Sequence, residues 1–320
     1  MIHYIVRSNY PIFAAIGLLF AFLCTCILIA KLSKYLPKDM GRDFAHDGKL
    51  SAGKPRGAGI IFILVFAASA LLFAKLNIEI IIYLVLVIIE MLTGFFDDAS
   101  KKPWGEYTKG IMDLLVAIVV AVTFINYNSS TIVIAALDKQ IIIEPIIFCI
   151  LAVILVWTSI NVTNCSDGVD GLSGTLSCIT LVTIYVIVGI TGKGDDFSFL
   201  ILMFLICILG YLWYNAAPSN LIMGDAGSRA IGIFISLAIL KTGSPFLYLL
   251  VAFVLIINGG IGLVKVFLLR FFKIHILKHT KTPLHDHVRK ALGWSNSQTV
   301  FRFAIIQIVV SIATVYMLII

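Results

Sequence analysis

Apolar runs separated by short polar connections fall at about 11–30, 57–74, 78–96, 111–126, 141–160, 174–191, 197–215, 229–240, 245–269 and 299–320. A helix needs about 20 mostly apolar residues to cross the hydrocarbon of a bilayer. Once there, it satisfies its own backbone groups where no water is available. The pattern therefore predicts ten transmembrane helices. The fourth and eighth runs are the shortest, and Gly232 interrupts the eighth. No solenoid-like period and no low-complexity tract breaks the series. The whole chain, 1–320, reads as one all-α, polytopic membrane domain.

Composition excludes the main alternatives. Of the 320 residues 60% are apolar and 13% charged, against about half and about a quarter in soluble domains. This is also far more apolar surface than a disordered chain carries. The net charge of +7 is explained by where the basic residues stand. Segments 31–56, 97–110, 216–229 and 270–298 hold most of the 24 lysines and arginines, and the alternate connections hold few. By the positive-inside rule the basic side is cytoplasmic, so both termini face outward and no nucleic-acid partner is needed. The first run precedes its basic cluster and lacks a small-residue cleavage site, so it reads as a retained span rather than a cleaved signal. Cys24, Cys26, Cys149, Cys165, Cys178 and Cys207 lie mostly within apolar runs without metal-ligand spacing, and read as packing residues.

The few carboxylates cluster. Asp97 and Asp98 follow Gly94-Phe95-Phe96 at the inner end of the third run. Asp167 and Asp170 lie in a stretch from Asn161 to Leu172 rich in Asn and Gly, and Asp225 lies in Met223-Gly224-Asp225-Ala226-Gly227-Ser228. His285 and His287 lie in Pro283-Leu284-His285-Asp286-His287. All four groups fall on the predicted cytoplasmic side. Each has a bland reading: an interfacial acid pair with Glu90 nearby as a structural acid, turn chemistry, a helix N-cap, surface histidines. Four such groups at one depth are a weaker coincidence than a site. Adjacent carboxylates repel near low dielectric unless a cation joins them, and Mg²⁺ accepts one or two carboxylates while leaving positions for phosphate oxygens. Glycines permit close backbone approach, and Asn161 and Asn164 offer amides to a nucleobase or sugar. This is equipment for phosphoryl transfer, which relies on positioning and charge neutralisation.

Phe95-Phe96-Asp97-Asp98, the Asn161–Leu172 stretch and Met223–Ser228 together resemble the signatures of the polyprenyl-phosphate N-acetylhexosamine-phosphate transferase superfamily. Pro283–His287 with Gly293-Trp294-Ser295, Arg302-Phe303 and Pro55-Arg56-Gly57-Ala58-Gly59 resembles its phospho-N-acetylmuramoyl-pentapeptide transferase family. The resemblance runs in order from about 46 to 303. It implies a ten-helix enzyme of the bacterial cytoplasmic membrane, a broken ninth helix, a homodimer, and a cytoplasmic-face site built from the four basic segments named above and 161–173. It also implies transfer of phospho-MurNAc-pentapeptide from UDP-MurNAc-pentapeptide to undecaprenyl phosphate, giving lipid I and UMP with Mg²⁺. By position, Asp97 and Asp98 become the catalytic acids and Asp225 the Mg²⁺ ligand. Asn164, Asp167, Asp170 and Asn215 fall on the nucleoside side, and His285, with His287, helps hold the diphosphate. Lys101 and Lys109 match lysines near the phosphates, and Lys49 or Lys54 stands in for a lysine before the proline segment.

The chain departs from the family at several positions. Three consecutive histidines read His285-Asp286-His287, the aromatic three residues before Asp225 is Ile222, the threonine of the proline segment is Arg56, and the ninth run differs around Lys265. The nearest rival is a UDP-GlcNAc:polyprenyl-phosphate transferase, against which the Pro-Leu-His and Gly-Trp segments speak. A lipid or solute transporter would place its ionisable groups near the midplane, and a scaffold would need none of the four groups.

Overall fold

The computed structural model describes residues 10–41, 51–100, 102, 104–134, 137 and 139–320. Lys49 and Lys101 lie outside the described residues. Eight long helices come first: α1 (Tyr10–Leu32), α2 (Gly59–Phe73), α3 (Ile78–Ala99), α4 (Glu106–Tyr127), α5 (Pro145–Cys165), α6 (Leu172–Thr191), α7 (Asp195–Asn215) and α8 (Gly224–Lys241). A broken stretch follows, with short helical pieces α9 (Tyr248–Val251), α10 (Phe253–Leu255) and α11 (Ile261–Phe267) joined and followed by wide turns over Ile256–Gly260 and Leu268–Phe272. The chain ends in α12 (Leu284–Leu292) and α13 (Asn296–Ile319).

Among the described residues, eight segments are long and apolar enough to cross a membrane: α1 with its continuation to Tyr35, α3 to α7, Phe253–Phe272 and α13. Helices α2 and α8 stand where the second and eighth crossings are expected; α2 has 15 residues and α8 carries Asp225, Arg229 and Lys241. The chain is an all-α polytopic membrane protein.

One element departs from the expected pattern. Thr131–Ile134 (β1) and Lys139–Ile142 (β2) form an antiparallel hairpin between α4 and α5, pairing Thr131 with Ile142. The fifth helix thus begins at Pro145 rather than near 141. Proline suits a first helical turn, and the Glu144 side chain accepts from the backbone N–H groups of Ile146 and Ile147 at 2.8 and 3.0 Å. A run of isoleucines fits strand as readily as helix.

Helix α8 is the axis of the bundle. Every residue from Gly224 to Leu240 is buried, and its most extensive packing is with α3 and α5. Lipid is as apolar as the helices, so association rests on close packing and polar contacts. Phe234 stacks on Phe204 of α7 at 4.0 Å between ring centroids and meets Phe66 of α2 edge-on at 5.2 Å. Where α2 passes the start of α8, a Cβ on Gly59 would overlap the backbone of Gly227, so only glycine permits the crossing. Outward-facing Leu19, Ile118, Ile150 and Ile312 form the apolar exterior.

Candidate functional site

The inner ends of α3, α4 and α8 meet. Asp97 and Asp98 lie in the last turn of α3, and Asp225 in the first turn of α8. The expected loops 97–110 and 216–229 are therefore partly helical, which fixes these carboxylates more firmly than a loop does. Gly224 has φ +69°, and a Cβ there would strike the Asp98 carboxylate. The turn into α8 thus needs glycine for both its conformation and the approach of Asp98.

Two cations hold the three carboxylates together. Lys109 of α4 pairs with Asp97 Oδ2 and sits 3.0 Å from Asp225 Oδ2. Arg56 donates through Nε to Asp98 at 2.7 Å, through Nη1 to Asp39 at 3.1 Å and through Nη2 to Asp225 at 3.5 Å. Backbone donors complete the set: Trp104 N–H reaches Asp97 at 2.6 Å and Ala226 N–H reaches Asp98 at 3.2 Å. Burial alone would lower the pKa of Arg56; Asp98 and Asp225, with Asp39, outweigh it and raise it, so the guanidinium stays charged.

Beside this cluster opens a cavity of about 580 Å³, within the size range of small-molecule sites. Lys54, Asn164, Asp167, Asp170, Asn215 and Asp225 line it, together with Asp39, Arg56, Ile222 and Arg289. Lys54 reaches Ser219 Oγ at 2.9 Å and Asp170 at 3.4 Å, and Ser219 N–H donates to Asp170 at 3.1 Å. Asn215 spends its amide on backbone, accepting from Gly171 N–H and donating to Leu221 carbonyl, both at 2.8 Å. These bonds tie the 166–171 turn to the 216–223 connection and fix Asn215 in the cavity wall.

The histidines sit elsewhere. His285 is buried one layer behind the cavity, where a Cβ on Gly168 would collide with its Nε2. Its backbone N–H donates to Asn258 Oδ1 at 2.9 Å, and Nδ1 lies 3.1 Å from the same oxygen. Because a carbonyl oxygen only accepts, Nδ1 carries the proton. Burial pushes the His285 pKa down to about 4, against the pull of Asp286. As a neutral imidazole it braces the Asp167-Gly168 turn from behind. The ring of His287 accepts from Lys281 N–H at 3.4 Å, outside the cavity lining. Asp286, where the middle histidine was expected, accepts from Arg289 Nη2 at 3.0 Å and Lys290 Nζ at 3.3 Å, and Arg289 also holds Asn296 Oδ1 at 2.8 Å. Burial would raise the pKa of Asp286, but Arg289, His285 and Lys290 together lower it.

Sequence reasoning did not select Asp39, Arg289 or Arg56 as site residues. Asp39 stands as an acid inside a strongly basic segment, and Arg56 as the departure in Pro55–Gly59; those were the available signals. Deeper in the bundle, Arg229 of α8 pairs with Glu90 of α3 at 2.8 Å and with Asp113 of α4. Glu90 is thus a paired structural acid.

The donor set suits a hard cation. Among the described residues no three His, Cys, Asp or Glu side chains form a closed metal cage, as Zn²⁺ would require. Mg²⁺ needs only one or two carboxylates, with water and phosphate completing its shell. Asp225, already linked to Asp97 and Asp98 by bridging cations, fits that need.

The model of Glycosyl transferase family 4 matches residues 80–243, a span that contains all three carboxylates. The Phospho-N-acetylmuramoyl-pentapeptide-transferase of Treponema pallidum (strain Nichols) is 37% identical over 94% of this chain and 88% of its own length. Proteins of the same name from Borrelia garinii subsp. bavariensis and Wolbachia pipientis wMel are 29% and 26% identical, over 93% and 82% of this chain and 93% and 83% of theirs.

Proposed function

The chain belongs to the phospho-N-acetylmuramoyl-pentapeptide-transferase family, within Glycosyl transferase family 4, and is a membrane-spanning glycosyl-phosphate transferase; from this premise we propose that it moves phospho-MurNAc-pentapeptide from UDP-MurNAc-pentapeptide to undecaprenyl phosphate. The products are lipid I and UMP. The observation that carries the reading is the meeting of Asp97, Asp98 and Asp225, joined by Lys109 and Arg56, at the edge of the 580 Å³ cavity.

A phosphate oxygen of the lipid attacks the β-phosphorus of the donor in line. The bond to the oxygen bridging the α-phosphate breaks, and UMP leaves with that oxygen and its electron pair. Asp225, with help from Asp98 or Asp97, would hold Mg²⁺, which would supply neutralisation of the phosphate charge. Lys109 lies between two of the acids, where charge develops, and its ammonium is suited to phosphate. Lys54, Asn164, Asp167 and Asp170 present donors and acceptors to the nucleoside side. Asp97 and Asp98 each accept a backbone N–H and a cationic partner, so they serve as fixed negative charges that organise cation and phosphates.

The basic end of the bundle faces the cytoplasm of a bacterial cell, both termini face outward, and the lipid enters sideways from the bilayer. A homodimer belongs to the same proposal and rests on the family resemblance.

The test is UMP release by purified protein in detergent with undecaprenyl phosphate, Mg²⁺ and either UDP-MurNAc-pentapeptide or UDP-GlcNAc, beside an EDTA control. EDTA-sensitive release with the muramoyl donor alone is expected. Release with UDP-GlcNAc alone would keep the mechanism and replace the substrate, and no release with either would overturn the proposed reaction.

A further inference from the structure

The proline-segment position that the family resemblance assigns to threonine holds Arg56 here, and the side chain stands inside the carboxylate cluster rather than beside it. The cluster contains four carboxylates, Asp39, Asp97, Asp98 and Asp225, and two cations, Arg56 and Lys109. It is left two positive charges short, which is what one divalent ion supplies.

Its three arms are unequal. The Nε–Asp98 contact is 2.7 Å and the Nη1–Asp39 contact 3.1 Å, whereas Nη2 reaches Asp225 at 3.5 Å. Asp39 is itself fixed, accepting from Ser51 Oγ at 2.5 Å and Gly41 N–H at 3.2 Å. The backbone around Arg56 is pinned on both sides: its N–H donates to Pro37 carbonyl at 2.8 Å, and Ile222 N–H donates to Pro55 carbonyl at 2.8 Å. Only the far end of the side chain is free to turn, and the weak arm is the one to release. Asp225 has one cation on each oxygen, Arg56 on Oδ1 and Lys109 on Oδ2 at 3.0 Å. An ion binding Asp225 meets the looser hold at Oδ1.

We propose that Arg56 is a resident competitor of the divalent ion: it bridges Asp98 and Asp225 in the metal-free site, yields Asp225 when the ion arrives, and turns its freed Nη2 toward the donor's diphosphate. Pivoting on Asp98 and Asp39 keeps the guanidinium in the lining of the cavity, where its planar fork matches phosphate oxygens. Arg56 is a positioning residue for the metal and a specificity contact for the donor. The inference rests on the metal-dependent reading above.

The experiment reads Mn²⁺ binding to the full chain in detergent, without donor, by electron paramagnetic resonance of the free ion. Removing a positive charge a few ångströms from the ion removes a large repulsion even at an effective dielectric near 20. Arg56→Gln is therefore expected to bind Mn²⁺ at least about tenfold tighter than wild type. Arg56→Lys, which keeps the charge, stays near wild type, and Asp39→Asn, which removes a negative charge, binds more weakly. In turnover, Arg56→Gln raises the KM for the UDP-sugar. Equal or weaker Mn²⁺ binding by Arg56→Gln would overturn the inference, because a merely structural arginine would loosen the carboxylates and weaken both variants. Should Arg56→Gln fail to fold, unchanged or tighter binding by Asp39→Asn overturns it instead. A wild-type protein that binds no Mn²⁺ and releases UMP despite EDTA would overturn the metal-dependent reading itself.

Discussion

The imidazole of His285 occupies the space that a side chain on Gly168 would need. This contact joins α12 to the turn that carries Asp167 and Asp170. Gly168→Ala is expected to push that turn or the ring aside, raising the donor KM at least about tenfold, in line with the cost of small misplacements. The clash falls on a buried ring, so the melting temperature should fall as well. A near-normal KM would mean that the turn tolerates the displacement.

His285 also sets a pH response. The unfolded chain takes up its proton near the usual pKa of about 6.5, and the folded chain resists until about 4. The unfolded state thus binds more protons between these values, so stability rises with pH across the window. The contribution is complete above about 6.5 and is lost as pH falls toward about 4. Thermal unfolding in detergent at pH 7, 6 and 5 should show a steeper decline for wild type than for His285→Gln. Parallel curves would count against a buried neutral imidazole.

Arg229 shares its guanidinium between Glu90 and Asp113 with almost no exposure. Taking away one member of a buried ion group leaves the others uncompensated, at a cost of about 3–5 kcal/mol. Arg229→Leu should lose about that much in denaturant-induced unfolding. Replacing all three with apolar residues should recover most of it. A loss below about 1 kcal/mol for the single change would show that the acids find other partners or neutralise.

Loss of any of the three site carboxylates should separate activity from folding. Asp225→Asn is expected to abolish UMP release even at saturating Mg²⁺, and Asp97→Asn and Asp98→Asn to reduce turnover by about 100-fold or more, the scale of one lost electrostatic contact in a transition state. Each protein should keep its helical circular dichroism. Wild-type-like release by Asp225→Asn would remove that residue from the metal site.

Much of this was legible in the chain because charge is scarce. With so few acids, the grouping of Asp97, Asp98 and Asp225 at span ends stood out. Their partners did not, because pairings such as Arg56–Asp98 and Arg229–Glu90 join residues 42 and 139 positions apart, and no local pattern encodes them. The burial of Asn215 and His285 was equally hidden: polar residue type announces chemistry, and only packing reveals that their hydrogen bonds go to backbone and to Asn258. The second strand was concealed by Ile141 and Ile142, which the fifth apolar run at 141–160 takes in; Pro145 was the sign that the helix starts later.

Helices α3 and α8 are cross-linked at three heights. At the inner end Ala226 N–H meets Asp98; midway Arg229 meets Glu90; at the far end Lys241 holds Glu79 at 3.1 Å. A slip of one helix along the other by even one residue would break all three rungs together. The pair is therefore a rigid strut running the depth of the bundle, with Asp225 and Asp98 mounted on its end.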